Sequence, residues 1–504
     1  VIRGEVTGWI NLRGLFEGGR EANADYIFEI TYPTGEIRNL ISALNQKIKG
    51  ERRQGFFEIM GGYGTGKSHL LLLLYHLFKN PDKGRKWLQN HGLTLELPNN
   101  SAVLAIQLMD YPPKYLWEPI FSGLGREDLL KKVTTYPGAR KLKEALKCKE
   151  FVVIIIDELE SWYRSAKDKN ANLNFLQVLA EVSCEEKTNL VVFCALYGED
   201  PELIARIDRV GPYRVNLTLS NDRPKVVLFR LLKDINREVV SNIAESYVKH
   251  YRNSELELPE LSRYKEKLVE YYPIHPELMN TLLTRYSSSP NYQNTRGVLY
   301  LLSSVLRKMY KEVDLLLSSN IDIDEEELLS LGRELVENAK KDVEFIDNPL
   351  TKKILNVILL YSFGEKERIG ASRNDIVLGV LRPDINVNDV DFILADLPSK
   401  APHVWLRDGK YIIGLEANMV ALIQNTALSN IKQGKIDKAL AVVKEKLKRD
   451  RFHYIYHPNP KLSDNIEDDD RIKIVISLKS LNKDELSKLY TCLLYTSPSP
   501  RDRG

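Results

Sequence analysis

Through residues 1–225 the chain alternates between short runs of consecutive apolar residues and longer stretches with helical spacing. Phe56-Phe57-Glu58-Ile59-Met60 is the first run and predicts a buried strand. His69–Phe78 contains a block of leucines and predicts a helix, closed by Asn80-Pro81. Ala102–Leu108 and Phe151–Ile156 predict two further strands, with a helical region between them through Lys149. Phe151–Ile156 is uninterrupted and mostly β-branched, which suits a central parallel strand buried on both faces. A helix near Leu173–Val182, a fourth strand over Asn189–Ala195, a helix over Glu202–Arg209 and a fifth strand over Tyr213–Leu219 complete the series. Strands alternating with helices predict an α/β fold built on a parallel sheet.

After residue 225 the pattern becomes mainly helical. Pro224–Ile243 and Lys265–Tyr272 read as helices, and Tyr272-Pro273-Ile274-His275-Pro276-Glu277-Leu278 as a Pro-punctuated helix start. A Ser-rich loop and Asn291–Gly297 lead into a helix over Val298–Met309. Residues 226–345 thus predict a helical lid. Residues 346–430 read as a winged helix: helical segments Thr351–Tyr361, Ser372–Leu381 and Asn388–Leu397, then a hairpin over Val404–Ile413 turning at Asp408-Gly409. Residues 431–491 read as a basic connecting helix (Lys432–Arg451), an acidic linker (Asp464–Asp470) and the start of a further α/β domain (Arg471–Ser477, then Asn482–Tyr490). Residues 492–504 resemble a translated sequencing adapter and are set aside from the fold. With a start at Val1 that is not Met, this reads as a fragment of a longer protein.

Charge narrows the functions. With 72 basic and 69 acidic residues the net charge is +3, too balanced for a general electrostatic grip on nucleic acid. Any DNA site must be a local patch. Cys148, Cys184, Cys194 and Cys492 form no C-x-x-C pair, so neither a zinc site nor a disulfide framework is expected, and a reducing cytoplasm fits. No apolar run reaches membrane-spanning length, and no signal peptide is evident.

The candidate chemistry lies between the first strand and its helix. Gly61-Gly62-Tyr63-Gly64-Thr65-Gly66-Lys67-Ser68, followed by His69, fits G-x-x-x-x-G-K-[ST] in the strand–loop–helix setting that the motif requires. The glycines allow successive N–H groups to face phosphate oxygens. Lys67 is the expected contact to the β/γ-phosphates and Ser68 a ligand of Mg²⁺. Asp157, at the end of the central strand, is the second expected Mg²⁺ ligand, and Glu158 the group that polarises the attacking water. Glu160 is a weaker candidate for that role. The extra strand between the loop strand and the strand ending in Asp157, with Glu158 beside that Asp, follows the additional-strand, AAA+ type of P-loop ATPase. In that plan the fourth strand ends in a polar γ-phosphate sensor; here it runs out through Cys194, Ala195 and Leu196, leaving Tyr197 as a candidate. Arg206 and Arg209 are candidates for a finger acting on a neighbour's nucleotide, or else belong to a solvated helix face. Arg296, at a lid-helix start, is a candidate to reach back to the nucleotide. His275, lone between prolines, reads as structural.

The motifs Thr31–Thr34, Gly61–Phe78, Ile154–Ser165, Tyr272–Leu278 and Asn291–Lys308 occur in this order. Together they resemble the large AAA+-type ATPases of unknown function encoded beside DNA methyltransferases in prokaryotic phage-defence clusters. They are more distantly similar to the BREX-system ATPases. The resemblance implies ATP binding with Mg²⁺, ATP hydrolysis, and a role in a multi-protein defence or DNA-modification complex. Two alternatives stay open: a nucleotide-gated scaffold with little turnover, and a DNA-binding or translocating module. The third winged-helix segment carries Asp389, Asp391 and Asp396 and no basic residue before Lys400, which favours protein contact over DNA. Arg407 and Lys410 on the hairpin leave DNA open, and a homo-oligomer is compatible with a trans-acting finger.

Overall fold

A strand that is apolar on both faces must sit inside a sheet covered by helices on both sides. Phe151–Ile156 has that property, and the whole strand Phe151–Asp157 is buried. The structure, a computed structural model, describes residues 10–432 apart from 132, 148, 219–220, 255, 257–260, 287–294, 347 and 365–367. Beyond these it describes Val442, Glu445 and the backbone of 452–457 and 472–477. The expected acidic linker, the helix over Asn482–Tyr490, the tail 492–504 and nearly all of the expected basic helix lie outside the described residues. The chain divides into two compact units, Val1–Asn418 and Met419–Gly504.

The first unit opens with helices α1 (Arg13–Phe16), α2 (Ala24–Ile30) and α3 (Gly35–Ile48), then β1 (Phe56–Met60), α4 (Lys67–Lys79) and α5 (Pro81–Asn90). β2 (Ser101–Gln107), α6 (Trp117–Gly123), α7 (Ala139–Leu146) and β3 (Phe151–Asp157) follow. Next come α8 (Leu159–Ser165), α9 (Lys169–Ser183), β4 (Leu190–Leu196), α10 (Pro201–Asp208) and β5 (Tyr213–Asn216). The strands form one sheet in the order β2-β3-β4-β1-β5, every pairing parallel. β4 is therefore inserted between β1 and β3, the additional-strand arrangement expected from the sequence.

Strand alternation divides the core into two layers. Phe151, Val153 and Ile155 pack with α2–α5, whereas Val152, Ile154 and Ile156 pack with α6–α10. The five leucines Leu70–Leu74 are all buried because α4 lies against the sheet. Glu58 is the one polar position of β1, and it too is buried. Its Oε2 accepts from Arg214 Nε at 2.7 Å, tying edge strand β5 to β1. Burial raises the Glu58 pKa, and Arg214 opposes that shift.

The helical part contains α11 (Arg223–Leu231), α12 (Arg237–Asn253), α13 (Leu261–Tyr271), α14 (Pro276–Thr284), α15 (Thr295–Met309) and α16 (Glu326–Val343). The single helix expected over Pro224–Ile243 is in fact two. Leu232 is extended, and the Asn236 side chain accepts from Glu238 N and Val239 N to start α12 afresh. α17 (Pro349–Ser362), β6 (Ala371–Ser372), α18 (Arg373–Val380), α19 (Val387–Lys400), β7 (Val404–Arg407) and β8 (Lys410–Ile413) follow, with strand order β6-β8-β7. Ser372 and Asp375 cap α18 reciprocally. The segments expected as lid and winged helix share one apolar core, in which Tyr251, Leu301, Leu359, Val377 and Leu397 all take part. Asp342 on α16 is fully buried and accepts from His403 N at 2.9 Å, fastening the approach to β7. His275, as expected, is structural: buried, it meets the Tyr251 hydroxyl at 3.1 Å and accepts from Glu277 N at the start of α14.

The second unit contains α20 (Met419–Lys432) and the parallel pair β9 (Phe452–His457) and β10 (Ile472–Ser477), the latter on the strand expected there. No helix among the described residues is long and apolar enough to cross a membrane.

Gly55 sets how closely β1 approaches α9: a Cβ there would lie 2.0 Å from the Ser183 carbonyl oxygen. Both groups are backbone, so neither can swing aside. We expect Gly55→Ala to destabilise the first unit by about 1–3 kcal/mol, seen as a lower urea midpoint. Gly138→Ala, where a Cβ meets nothing within 4 Å, should leave the midpoint unchanged.

Candidate phosphate-binding site

β1 ends at Met60 and α4 begins at Lys67, so the chain turns across Gly61–Gly66. Gly64 and Gly66 have φ of 73° and 100°, conformations that glycine adopts without steric cost. The first N–H groups of α4 have no partner within the helix, and its dipole favours an anion there. The loop thus leads directly into the N-terminus of α4, the strand–loop–helix setting expected from the sequence.

Lys67 is buried and turns its ammonium to the carbonyls of Gly61 and Gly62, at 2.5 and 2.9 Å. Burial pulls its pKa down to about 8, against the opposing pull of Asp157, Glu160 and Glu158. Ser68 Oγ donates to Asp157 Oδ2 at 2.7 Å. The hydroxyl from the loop and the carboxylate from the end of β3 therefore meet, although 89 residues separate them. Asp157 is 4% exposed, and burial raises its pKa while the Ser68 hydrogen bond and Lys67 lower it.

Glu158 has φ 61° and ψ 32°, left-handed for a residue with a side chain. Such a conformation costs about 1–3 kcal/mol and must be held by its surroundings. Its N–H donates to Asp157 Oδ1 at 3.0 Å, and its Oε2 accepts from Gln107 Nε2 at 2.5 Å. Gln107 is itself fixed, because its Oε1 accepts from Asp110 N at 2.6 Å. Burial, then the charges of Asp157 and Asp110, raise the Glu158 pKa. Gln107 was not singled out from the sequence. The available signal was a polar residue closing an apolar strand, and β2–β3 pairing puts it in register with Asp157.

Glu160, the weaker candidate beside Glu158, is engaged elsewhere. It is 1% exposed, and its two oxygens accept from the N–H groups of Tyr197, Gly198, Glu199 and Asp200. It closes the turn from β4 into α10. Tyr197 begins that turn, its ring 4.0 Å from Lys67 Nζ.

His69 stands beside the loop on α4. Thr31 Oγ1 spends its proton on Ile27 O at 2.6 Å, so His69 Nε2–H is the donor in their 2.7 Å contact. Burial and the charge of Arg230 hold the His69 pKa down to about 3, so the ring is neutral. A cleft lined by Ile30, Tyr32, Ile37, Leu70, Leu217 and Val226 opens on Thr65, Gly66 and His69. Its mixture of apolar walls and polar edge suits a flat heterocycle next to the phosphate cradle. Of this wall, Tyr32 and Leu70 entered the sequence reading through the family resemblance, Leu217 and Val226 only as parts of expected elements, and none as lining of a cleft.

The arginines lie farther along the chain. Arg206 on α10 donates to Gln177 Oε1 at 2.8 Å and to Asn174 Oδ1 at 3.4 Å, both on α9. Arg209 is exposed at the end of α10. Arg296 is half-buried at the start of α15, where desolvation lowers its pKa. Among the described residues no group of three or more His, Cys, Asp or Glu side chains is arranged as a metal site. A metal here would rest on the Ser68–Asp157 pair and the phosphates.

Residues 22–96 match the family model described as the DUF499 N-terminal domain. No curated protein matches the chain. Among solved structures, the ORC2 protein of Aeropyrum pernix is 13% identical, covering 82% of this chain and 98% of that one, with a TM-score of 0.32. Cdc6p from Pyrobaculum aerophilum is 12% identical, covering 80% and 98%, with a TM-score of 0.29. Domain III of the replication initiation protein DnaA from Thermotoga maritima is 18% identical, covering 58% and 93%, with a TM-score of 0.24.

The Glu160 clamp is open to a direct check. We expect Glu160→Ala to release the amides of residues 197–200, whose hydrogen exchange should rise about 10- to 100-fold. Protection in the middle of β3 should persist.

Proposed function

We propose that the chain is an ATP-binding and ATP-hydrolysing, AAA+-like motor or switch. The observation that carries this reading is the Ser68–Asp157 hydrogen bond directly behind Lys67. The phosphate loop and the acidic end of β3 thus belong to one site. We divide residues 1–430 into an ATPase core (1–225), a helical lid (226–345) and a winged-helix-like domain (346–430).

The donor set suits Mg²⁺, which prefers few protein oxygens and keeps water and phosphate as its other ligands. Ser68 and Asp157 would hold it, and the ion would supply positive charge to the phosphates. The remaining work belongs to this chain. Backbone N–H groups from Gly62 to His69 cradle the phosphates, Gly61 N–H being tied to Leu196 O, and Lys67 reaches the β/γ oxygens. Glu158, aimed by Gln107, orients the attacking water and accepts its proton. Phosphoryl transfer depends mainly on position and charge stabilisation, so this set is sufficient for turnover. Arg296 from the lid, and Arg206 or Arg209 from a neighbouring copy, would add positive charge at the transition state.

The work that ATP drives is assigned to a cytoplasmic prokaryotic phage-defence or DNA-modification complex, on the order of motifs shared with that family. Protein partners are favoured over DNA at α19. Asp391 is paired with Arg373 and Asp396 with Lys400, while Phe392 is 76% exposed. Arg407 and Lys410 on the β7–β8 hairpin are the groups that would touch DNA. A scaffold with little turnover is the second reading, favoured by Tyr197 standing where a small polar sensor is expected. Steady-state phosphate release with and without DNA separates the two.

Lys67→Ala should abolish ATP binding, measured by titration with a fluorescent ATP analogue; unchanged binding and hydrolysis would refute the assignment. Glu158→Gln should bind ATP yet release phosphate about 100-fold or more slowly.

A pH profile adds an independent check. The water-activating form of Glu158 is the carboxylate, and its pKa is raised. Hydrolysis should therefore decline as pH falls, beginning above the usual carboxylate range. Gln107→Leu removes a hydrogen bond that favours the ionised form, so it should move this limb to still higher pH. A limb that stays in place would detach Gln107 from the base.

A further inference from the structure

Two tyrosine rings close over Lys67, and the hydrolytic reading assigns those rings no work. The Lys67 ammonium has three protons, and two go to the Gly61 and Gly62 carbonyls. Its nitrogen lies 4.0 Å from the centroid of the Tyr197 ring, within the distance at which an aromatic face attracts a cation. Tyr63, on the loop itself, lies against Tyr197 with ring centroids 4.5 Å apart and planes inclined by 34°. The Tyr63 centroid is 6.0 Å from the same nitrogen.

The two rings differ in freedom. Tyr197 is fixed from behind, since Glu160 holds its N–H and those of the next three residues. Tyr63 is 65% exposed and rides on the turn. One ring is an anchored wall; the other stands exposed on the loop and is hydrogen-bonded to it. The wall is where it is because β4 lies between β1 and β3, so the chain leaving β4 emerges between the loop and Asp157.

We propose that Tyr63 and Tyr197 form an aromatic latch that holds the Lys67 ammonium back against its own loop, and that a phosphate must draw it from there to be bound. Tyr197 is thus a positioning residue that acts through Lys67. The half of the proposal that concerns phosphate rests on the nucleotide reading; the half that concerns Lys67 does not. The latch sets a threshold. A ligand has to offer the ammonium more than two neutral carbonyls and a ring face, which a chain of charged phosphates does and a weak single anion does not.

The test is the rate at which acetic anhydride acetylates Lys67 in the full chain at one fixed pH, read by peptide mass spectrometry. Tyr197→Leu removes the ring and should speed labelling roughly 3- to 30-fold. Tyr197→Phe keeps the ring but loses the hydroxyl contact with Tyr63, and should label far more slowly than Tyr197→Leu. Tyr63→Leu, at an exposed position, should give a smaller increase. If Tyr197→Leu loses its thermal unfolding transition, Tyr63→Leu and Tyr197→Phe still decide. Wild-type rates in both leucine variants would overturn the latch, as would equal acceleration in Tyr197→Phe and Tyr197→Leu. Mg-ATP should then protect Lys67 in every chain, at lower concentration in Tyr197→Leu. Absence of protection throughout would refute the nucleotide reading and the phosphate half of the latch. Accelerated labelling in the leucine variants would still carry the Lys67 half.

Discussion

Charge placed at the end of an apolar strand is the constraint around which this site is built. β3 is buried from Phe151 to Asp157, and Glu160 and Lys67 are nearly as deep. Removing an ion from water costs several kcal/mol unless partners replace the lost hydration. Each group here has such partners. Asp157 takes the Ser68 hydroxyl and the Glu158 N–H. Glu160 takes four backbone N–H groups, and Lys67 takes two carbonyls and a ring. These requirements hold the phosphate loop, the β3–α8 turn and the β4–α10 turn in one arrangement.

Strand order converts that local requirement into a site. Because β4 separates β1 from β3, the loop after β1 and the carboxylate of β3 stand one strand apart. That spacing leaves room for Lys67 and for the chain leaving β4. β2, on the far side of β3, brings Gln107 level with Asp157 and within reach of Glu158. Three strand ends besides that of the loop thus each supply one kind of group: the Asp157 carboxylate, the Gln107 amide that holds Glu158, and the aromatic wall of Tyr197. The left-handed backbone of Glu158 fits this picture, since a buried neighbour and a fixed amide together hold a conformation that would otherwise relax.

The helical half obeys simpler rules. Its helices and the β7–β8 hairpin share a continuous core, and polar groups inside it act as fasteners. Asp342 holds the backbone of His403, and His275 joins two tyrosines to the start of α14. The break between α11 and α12 shows how a local signal can be masked. Apolar spacing continues across residues 224–243, but the Asn236 side chain offers the backbone a cap, and the chain takes it. Periodicity senses which face is apolar; it does not sense a competing hydrogen bond.

Read alone, the chain specified those features that depend on neighbours along it. The loop Gly61–Ser68, the apolar strand ending in Asp157-Glu158 and the alternation of strands with helices are of this kind, because glycine conformations, strand burial and helix spacing are local properties. Glu160, only a weaker candidate from the sequence, illustrates the opposite case. Two residues after Glu158 it looks like a spare carboxylate, and only the return of β4 beside β3 supplies the N–H groups that occupy it. Gln107, the cleft wall around Tyr32 and the Tyr63–Tyr197 pair were likewise decided by tertiary structure. Their contacts join residues 38 or more positions apart, and sequence pattern carries no distance between such groups until strand order brings them together.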